Sequence, residues 1–233
     1  MSGSIRVFPF ELSPVLLADM EASTTEEQLR RPIWLVGHSY PGRWISELQG
    51  PLDPRHPTRH SIWTSVLDSL QDRVYKMGPH LRLDVTRCYA FNAAAKQKQG
   101  EKPDWCVDGE SITGRINRLH HLLKKHSPPI VITFSADVFA FVQRALTPKC
   151  DAHQVLGVQE LGNRFRQAIQ NYDPQEVNVF PLLHGYVARA GWATLGPVFS
   201  KIDDPNVNYF EYAGGALGDL LLSHCRQLPI WSQ

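Results

Sequence analysis

Short apolar runs alternate along this chain with segments whose apolar residues recur at helical spacing. The four runs cover residues 32–36, 85–91, 130–134 and 177–183. Strands that alternate with helices favour a mostly parallel sheet that is covered on both faces. The sequence therefore predicts a three-layer α/β/α fold with a mostly parallel central sheet of about four strands.

The segments between the runs predict the helices. One helix is expected after Ser61, a capping candidate, and others over 112–123 and 136–146. A last helix is expected to open at Gly214 and Gly215 and to run through Leu222. Residues 156–169 are less regular, and no defined helix is expected there.

Length and composition indicate one domain. A chain of 233 residues with 42% hydrophobic content has enough apolar side chains to bury a full core. Residues 1–31 are expected to form an outer helical element, since Thr24 and Thr25 precede two acidic residues, as at a capped helix start. We expect a single domain over residues 1–233 and a monomer.

Charge and cysteine usage narrow the function classes. A net charge of +1 gives no global basic field, so a nucleic-acid partner would need a local patch. The four cysteines are scattered with no Cys-x-x-Cys pair, which argues against a zinc site and a secreted disulfide scaffold. No run approaches the ~18 apolar residues that span a bilayer. We therefore expect a cytoplasmic protein with no metal and no membrane association.

Polar residues follow the apolar runs at their carboxyl ends. Segments that begin at Gly37, Asn92, Ser135 and His184 all take this position, and ligands of parallel sheets bind outside these strand ends. An unpaired polar group is costly at a buried strand end. His184 is therefore expected either to cap the structure or to meet a ligand.

The turn after the first run is similar to a known catalytic motif. Gly37-His38-Ser39-Tyr40-Pro41 resembles the nucleophile elbow Gly-x-Ser-x-Gly of the α/β-hydrolases, with Pro in the fifth place. That elbow follows an interior strand that comes after several others, whereas only 36 residues precede Gly37. A serine hydrolase with Ser39 as its nucleophile stays an alternative.

A second resemblance extends from about Pro32 to Trp192. A strand leads into a Gly/Pro turn over 37–42, and a Pro-rich loop and a helix follow. Next come Cys88-Tyr89-Ala90-Phe91-Asn92 with a basic loop, the run over 129–134, and Phe180-Pro181-Leu182-Leu183-His184. This order resembles the uracil-DNA glycosylase superfamily. The resemblance implies an enzyme that flips a base out of DNA and hydrolyses its N-glycosidic bond, leaving an abasic site.

The resemblance also implies residue roles. The first turn would position the hydrolytic water, Asn92 would recognise the Watson–Crick edge of the flipped base, and His184 would stabilise the departing base. The residues after His184 would wedge into the duplex. Further base contacts are expected from Tyr40 and Trp44, and DNA contacts from Arg43, Lys96, Lys98, Gly185, Tyr186 and Arg189.

Several residues depart from the family pattern. The first turn has no acid and is one residue longer before its proline, so the water-activating group is left open among His38, Ser39 and Asp53. The expected stacking aromatic is missing from residues 56–60. A modified pyrimidine is therefore the expected substrate, for example a hypermodified cytosine in phage DNA, with a role in antiviral defence.

Two further possibilities remain within this resemblance. The protein could be a uracil-excising DNA repair enzyme or a catalytically inactive DNA-binding relative. No cofactor is expected, since the N-terminal cysteine pair of the iron-cluster branch is missing.

Overall fold

A parallel sheet forms the centre of the computed structural model, which describes residues 15–16, 25–38, 64–78, 80–93, 112–147 and 156–232. Its strands are β1 (Val15–Leu16), β2 (Ile33–Gly37), β3 (Cys88–Asn92), β4 (Ile130–Phe134) and β5 (Asn178–Leu182). They lie in the order β1-β3-β2-β4-β5, and every pairing is parallel. The four long strands confirm the predicted sheet, and β1 adds a two-residue edge strand that was not predicted.

The strands are buried along almost their whole length. Every residue of β2, β3 and β4 is buried, as is every residue of β5 after Asn178. Continuous apolar runs are typical of parallel strands, because helices cover both faces of the sheet. The predicted start of β3 at Val85 was wrong. Val85–Arg87 forms a 3-10 turn, in which Thr86 donates hydrogen bonds from its backbone N–H and its hydroxyl to the Asp84 carboxylate.

Helices cover the sheet on both faces. In chain order they are α1 (Glu26–Leu29), α2 (Thr64–Met77), α3 (Ile112–His126), α4 (Ala136–Leu146), α5 (Val158–Gln170), α6 (Gly185–Ala190), α7 (Trp192–Ser200) and α8 (Tyr209–Ser223). Helix α2 packs against α8 as one layer, and α3 packs against α4 as another. The predicted three-layer α/β/α fold is confirmed. No helix within the described ranges is long and apolar enough to cross a membrane.

Helix α1 confirms the predicted capped start. The Thr25 hydroxyl accepts a hydrogen bond from the Gln28 backbone N–H, and the Gln28 side chain accepts one from the Thr25 N–H. This reciprocal pair satisfies two donors that a helix start leaves without partners. The Glu26 carboxylate also lies 3.1 Å from Lys125 Nζ, which joins α1 to the end of α3.

Helix α5 occupies the stretch that was expected to be irregular. Leu161 and Phe165 are buried one turn apart, as in any amphipathic helix. Gly162 obscures this pattern in the sequence, since glycine is a poor helix former. A Cβ at Gly162 would collide with the Phe199 backbone, so the close approach of α7 requires glycine here.

The start of α8 was also wrongly predicted. The helix begins at Tyr209, and the side chain of Asn208 caps it by accepting a hydrogen bond from the Phe210 N–H at 3.0 Å. Gly214 therefore lies inside the helix. A Cβ at this position would lie 2.7 Å from Leu70 N and 2.8 Å from Val66 O, so glycine allows α8 to pack closely on α2.

Candidate functional site

The strand order reverses between β2 and β4. The chain passes from β2 to its neighbour β3 on one side and then crosses to β4 on the other side. Open parallel sheets bind ligands outside the carboxyl ends of their strands at such a reversal. His38 follows β2 and Ser135 follows β4. Two of the polar segments that were predicted at strand ends, those that begin at Gly37 and Ser135, therefore meet at this point.

A cavity of about 420 Å³ opens at this edge of the sheet. This volume is within the range of about 300–1,000 Å³ that is typical of small-molecule sites. The cavity brings together His38 and His184, two of the residues predicted to be catalytic. Its described lining residues are His38, Ser135, Ala136, Asp137, Leu156, Val158, Leu161, Leu183, His184 and Val187.

The end of β5 holds His184 at the cavity. Leu183, the residue before it, is buried, and its backbone N–H donates a hydrogen bond of 2.7 Å to the Tyr209 hydroxyl. Tyr209 is only 1% exposed at the start of α8. The carbonyl of His184 accepts a hydrogen bond from the Ala188 N–H at 2.9 Å, which anchors the start of α6. The backbone on both sides of the imidazole is thereby fixed.

Burial favours the neutral form of the His38 imidazole. Burial lowers its pKa below the usual value, and the nearby Asp137 carboxylate opposes this shift without cancelling it. Desolvation disfavours the charged form of a histidine. A neutral imidazole in a cavity is able to accept a proton from water or a substrate.

A sharp turn joins β4 to α4. Ser135 is the single residue between them, and its backbone has φ 147° and ψ 162°, a conformation found almost only for glycine. Its hydroxyl caps α4 by accepting a hydrogen bond from the Val138 N–H at 3.2 Å. This tight connection places the first helical turn of α4 at the cavity.

Asp137 is the site residue that the sequence analysis missed. It lies in the first turn of α4 and is exposed to solvent. One local pattern in the sequence pointed to this residue: directly after the buried run that forms β4 come a serine that can cap a helix, Ser135, and the acidic Asp137. That signal did not reveal its proximity to His38.

Asn92 lies on the other side of β2 from this cavity. It ends β3, is 3% exposed, and is paired in register with Gly37. The next residue, Ala93, donates a hydrogen bond to the Gly37 carbonyl and accepts one from the buried Arg115. Asn92 is not among the described residues that line the cavity, so its role in base recognition stays a prediction.

The residues that follow His184 form α6. Gly185 is buried at its first position, and the backbones of Tyr186 and Arg189 belong to the same helix. Val187 is 42% exposed and lines the cavity. The DNA contacts of Gly185, Tyr186 and Arg189 stay predictions. The remaining candidates lie outside the described residues: Ser39, Tyr40, Arg43, Trp44, Asp53, Lys96 and Lys98.

A larger groove of about 770 Å³ lies between α2 and α8. Four of its charged side chains form ion pairs: Arg73 lies 2.7 Å from Asp219, and Lys76 lies 2.6 Å from Asp72. Its lining residues belong to α2 and α8, and neither His38 nor His184 is among them. We interpret it as a solvated helix surface and not as the site.

No protein-family model matches this sequence, and a search of curated proteins gave no match. The function of this chain is therefore inferred from its cavity and from the order of its site segments.

Proposed function

We propose that this protein is a DNA glycosylase that flips a base out of DNA and hydrolyses its N-glycosidic bond, leaving an abasic site. One observation carries the proposal: His184, two residues after the end of β5, lines a cavity with His38, which directly follows β2. The resemblance to the uracil-DNA glycosylase superfamily assigns these positions to the departing base and to the hydrolytic water.

The chemistry suits the residues of this cavity. Breaking the glycosidic bond leaves negative charge on the base, and a fixed hydrogen-bond donor at such a charge contributes about 3–4 kcal/mol in comparable sites. The imidazole of His184 would be this donor. Its backbone is held by Tyr209 and α6, so little reorganisation is needed during the reaction.

Base flipping requires that a nucleotide leave the stack, at a cost of a few kcal/mol. An apolar side chain that enters the gap between neighbouring bases helps to offset this cost. Val187 is exposed beside the cavity three residues after His184, which supports a wedge at this place.

The substrate that we propose is a modified pyrimidine in phage DNA, such as a hypermodified cytosine, excised in the cytoplasm by a monomeric enzyme as antiviral defence. The departures of the first turn and of residues 56–60 from the family pattern support this choice. The alternative within the same reaction is uracil excision in DNA repair.

A panel of DNA duplexes and single strands that contain uracil, hydroxymethylcytosine or glucosylated cytosine tests the proposal. We expect the purified protein to produce alkali-labile abasic sites on at least one modified cytosine. Product from uracil alone would favour the repair enzyme. Binding to DNA without product from any substrate would instead favour the catalytically inactive relative.

A serine hydrolase is the second candidate, and one observation favours it. Asp137 and His184 line the cavity beside His38, the neighbour of Ser39 in the chain. The order Ser39, Asp137, His184 is that of the α/β-hydrolase triad. Against it, β1 is the one strand that precedes β2 in the described part of the chain, and it has two residues.

Labelling with a serine-directed phosphonate separates the two candidates. A nucleophilic serine would react stoichiometrically, and its loss would abolish turnover. We expect no labelling of Ser39, no ester hydrolysis, and measurable base excision by the Ser39→Ala variant. Stoichiometric labelling of Ser39 with ester turnover would contradict the glycosylase proposal.

A further inference from the structure

The first turn lacks the acid that glycosylases of this type often carry there, but the cavity does contain a carboxylate. Asp137 is the only acidic residue among the described residues that line it. It comes from α4, which follows β4, whereas His38 follows β2, and it lies three residues after Phe134, the last residue of β4. The missing negative charge is thus supplied by a different element of the fold.

Asp137 lies at the start of a helix and at the surface of the cavity. It lies in the first turn of α4, where the helix dipole and the backbone N–H groups favour negative charge. Its side chain is exposed to solvent. A carboxylate therefore lines the same cavity as the His38 imidazole.

The charge of Asp137 acts on His38. Burial lowers the pKa of His38, and the negative charge of the Asp137 carboxylate raises it. The titratable groups that line the cavity with His38 in the described part of the chain are Asp137, from the α4 side, and His184, from the β5 side. Asn92, which ends the neighbouring strand β3, carries no charge.

We propose that His38 is the catalytic base that activates the hydrolytic water, and that Asp137 is the positioning residue that stabilises the resulting imidazolium. This inference rests on the proposed glycosylase function. Among the three candidates that the sequence left open, His38, Ser39 and Asp53, it selects His38, and it adds a partner from α4.

The step balances as a simple hydrolysis. The bond between C1′ of the sugar and the base nitrogen breaks, and its electron pair leaves with the base beside His184. A water oxygen forms the new bond to C1′, while an imidazole nitrogen of His38 accepts one proton from that water. The proton passes through solvent to the base anion. The products are a free neutral base and an abasic sugar that carries the hydroxyl.

Asp137→Asn tests this pair, with Asp137→Glu as the conservative variant. General-base catalysis contributes about 10²- to 10⁴-fold, and we expect Asp137→Asn to lower the single-turnover rate of base excision about 100-fold. Affinity for DNA that carries the same base on a non-hydrolysable 2′-fluoro sugar should change less than about twofold. Asp137→Glu should recover part of the rate. The control is Asp72→Asn, which removes a carboxylate of an exposed ion pair on α2 and should leave the rate unchanged.

The pH profile separates this role from a structural one. In the wild type, the rate should fall as the pH decreases through the lowered pKa of His38, because the protonated imidazole cannot accept a proton. Removing the Asp137 charge removes the effect that raises this pKa. The acidic limb of Asp137→Asn should therefore lie at lower pH than that of the wild type.

Three results would overturn the inference. In the first, Asp137→Asn excises the base at the wild-type rate. In the second, Asp137→Asn is slower but its rate falls at the same acidic pH as that of the wild type, and in the third, weaker DNA binding accounts for the whole loss of rate. Each of these would leave the glycosylase function intact, provided that the wild type produces abasic sites. A wild type without abasic product on any substrate would instead overturn the proposed function and this inference together.

Discussion

At the residue scale, the hydrogen bond between Leu183 and Tyr209 connects the core to the proposed chemistry. The hydroxyl of Tyr209 accepts the backbone N–H of Leu183 at 2.7 Å inside the core. Burial raises the pKa of Tyr209 well above its usual value, so the hydroxyl stays neutral. Because Leu183 directly precedes His184, this contact fixes the backbone from which the imidazole enters the cavity.

Replacing Tyr209 by Phe should affect both stability and activity. The Leu183 N–H would stay buried without this acceptor, which costs about 1–3 kcal/mol. We expect the free energy of unfolding in urea to fall by about this amount, and the rate of base excision to fall at a temperature where the variant is folded. Tyr75→Phe on the exposed face of α2 is the control and should change neither quantity. An unchanged urea midpoint for Tyr209→Phe would contradict this role.

At the element scale, the packing of α8 on α2 depends on one glycine. A Cβ at Gly214 would meet backbone atoms of Leu70 and Val66 at 2.7 and 2.8 Å, and backbone atoms cannot rotate away. At Gly215, the next residue, a Cβ would meet nothing within 4 Å. The two positions share a helix and differ in what faces them.

The two alanine variants should therefore have opposite effects. Overpacking costs about 1–3 kcal/mol, so Gly214→Ala should lower the free energy of unfolding by about this amount. Gly215→Ala should raise it by up to about 1 kcal/mol, because alanine is the better helix former. Urea unfolding of both variants measures the difference. Equal stability of the two would contradict the close packing of α8 on α2.

The elements also show where sequence analysis succeeds. Strand β4 and helix α4 were predicted with their observed bounds, because a continuous apolar run and a capped amphipathic segment are local signals. Helix α5 and the start of α8 were missed because Gly162 and Gly214 suggest breaks or helix starts. In the structure both are contact points with a distant element, which no local pattern reveals.

At the scale of the whole molecule, the strand order creates the site. The sequence indicated which residues follow the strands, and it correctly placed His38 and His184 at carboxyl ends. It did not indicate that β2 and β4 are neighbours, and hence it did not show that Asp137 lies near His38. Asn92, on the far side of β2, was expected in the same site and does not line the described cavity. Contacts across the sheet depend on non-local pairing, which a single sequence does not determine.

The proposed glycosylase activity is tested most directly by comparing His184→Ala with His121→Ala on the DNA base that the wild type excises best. His184 lines the cavity, whereas His121 is an exposed histidine on α3. Loss of an electrostatic donor at a developing charge costs about 10²- to 10³-fold in rate. We expect His184→Ala to form abasic sites at least about 100-fold more slowly in single-turnover reactions, with an unchanged melting temperature, and His121→Ala to match the wild type. Wild-type rates from a natively folded His184→Ala variant would contradict the proposed role of this cavity.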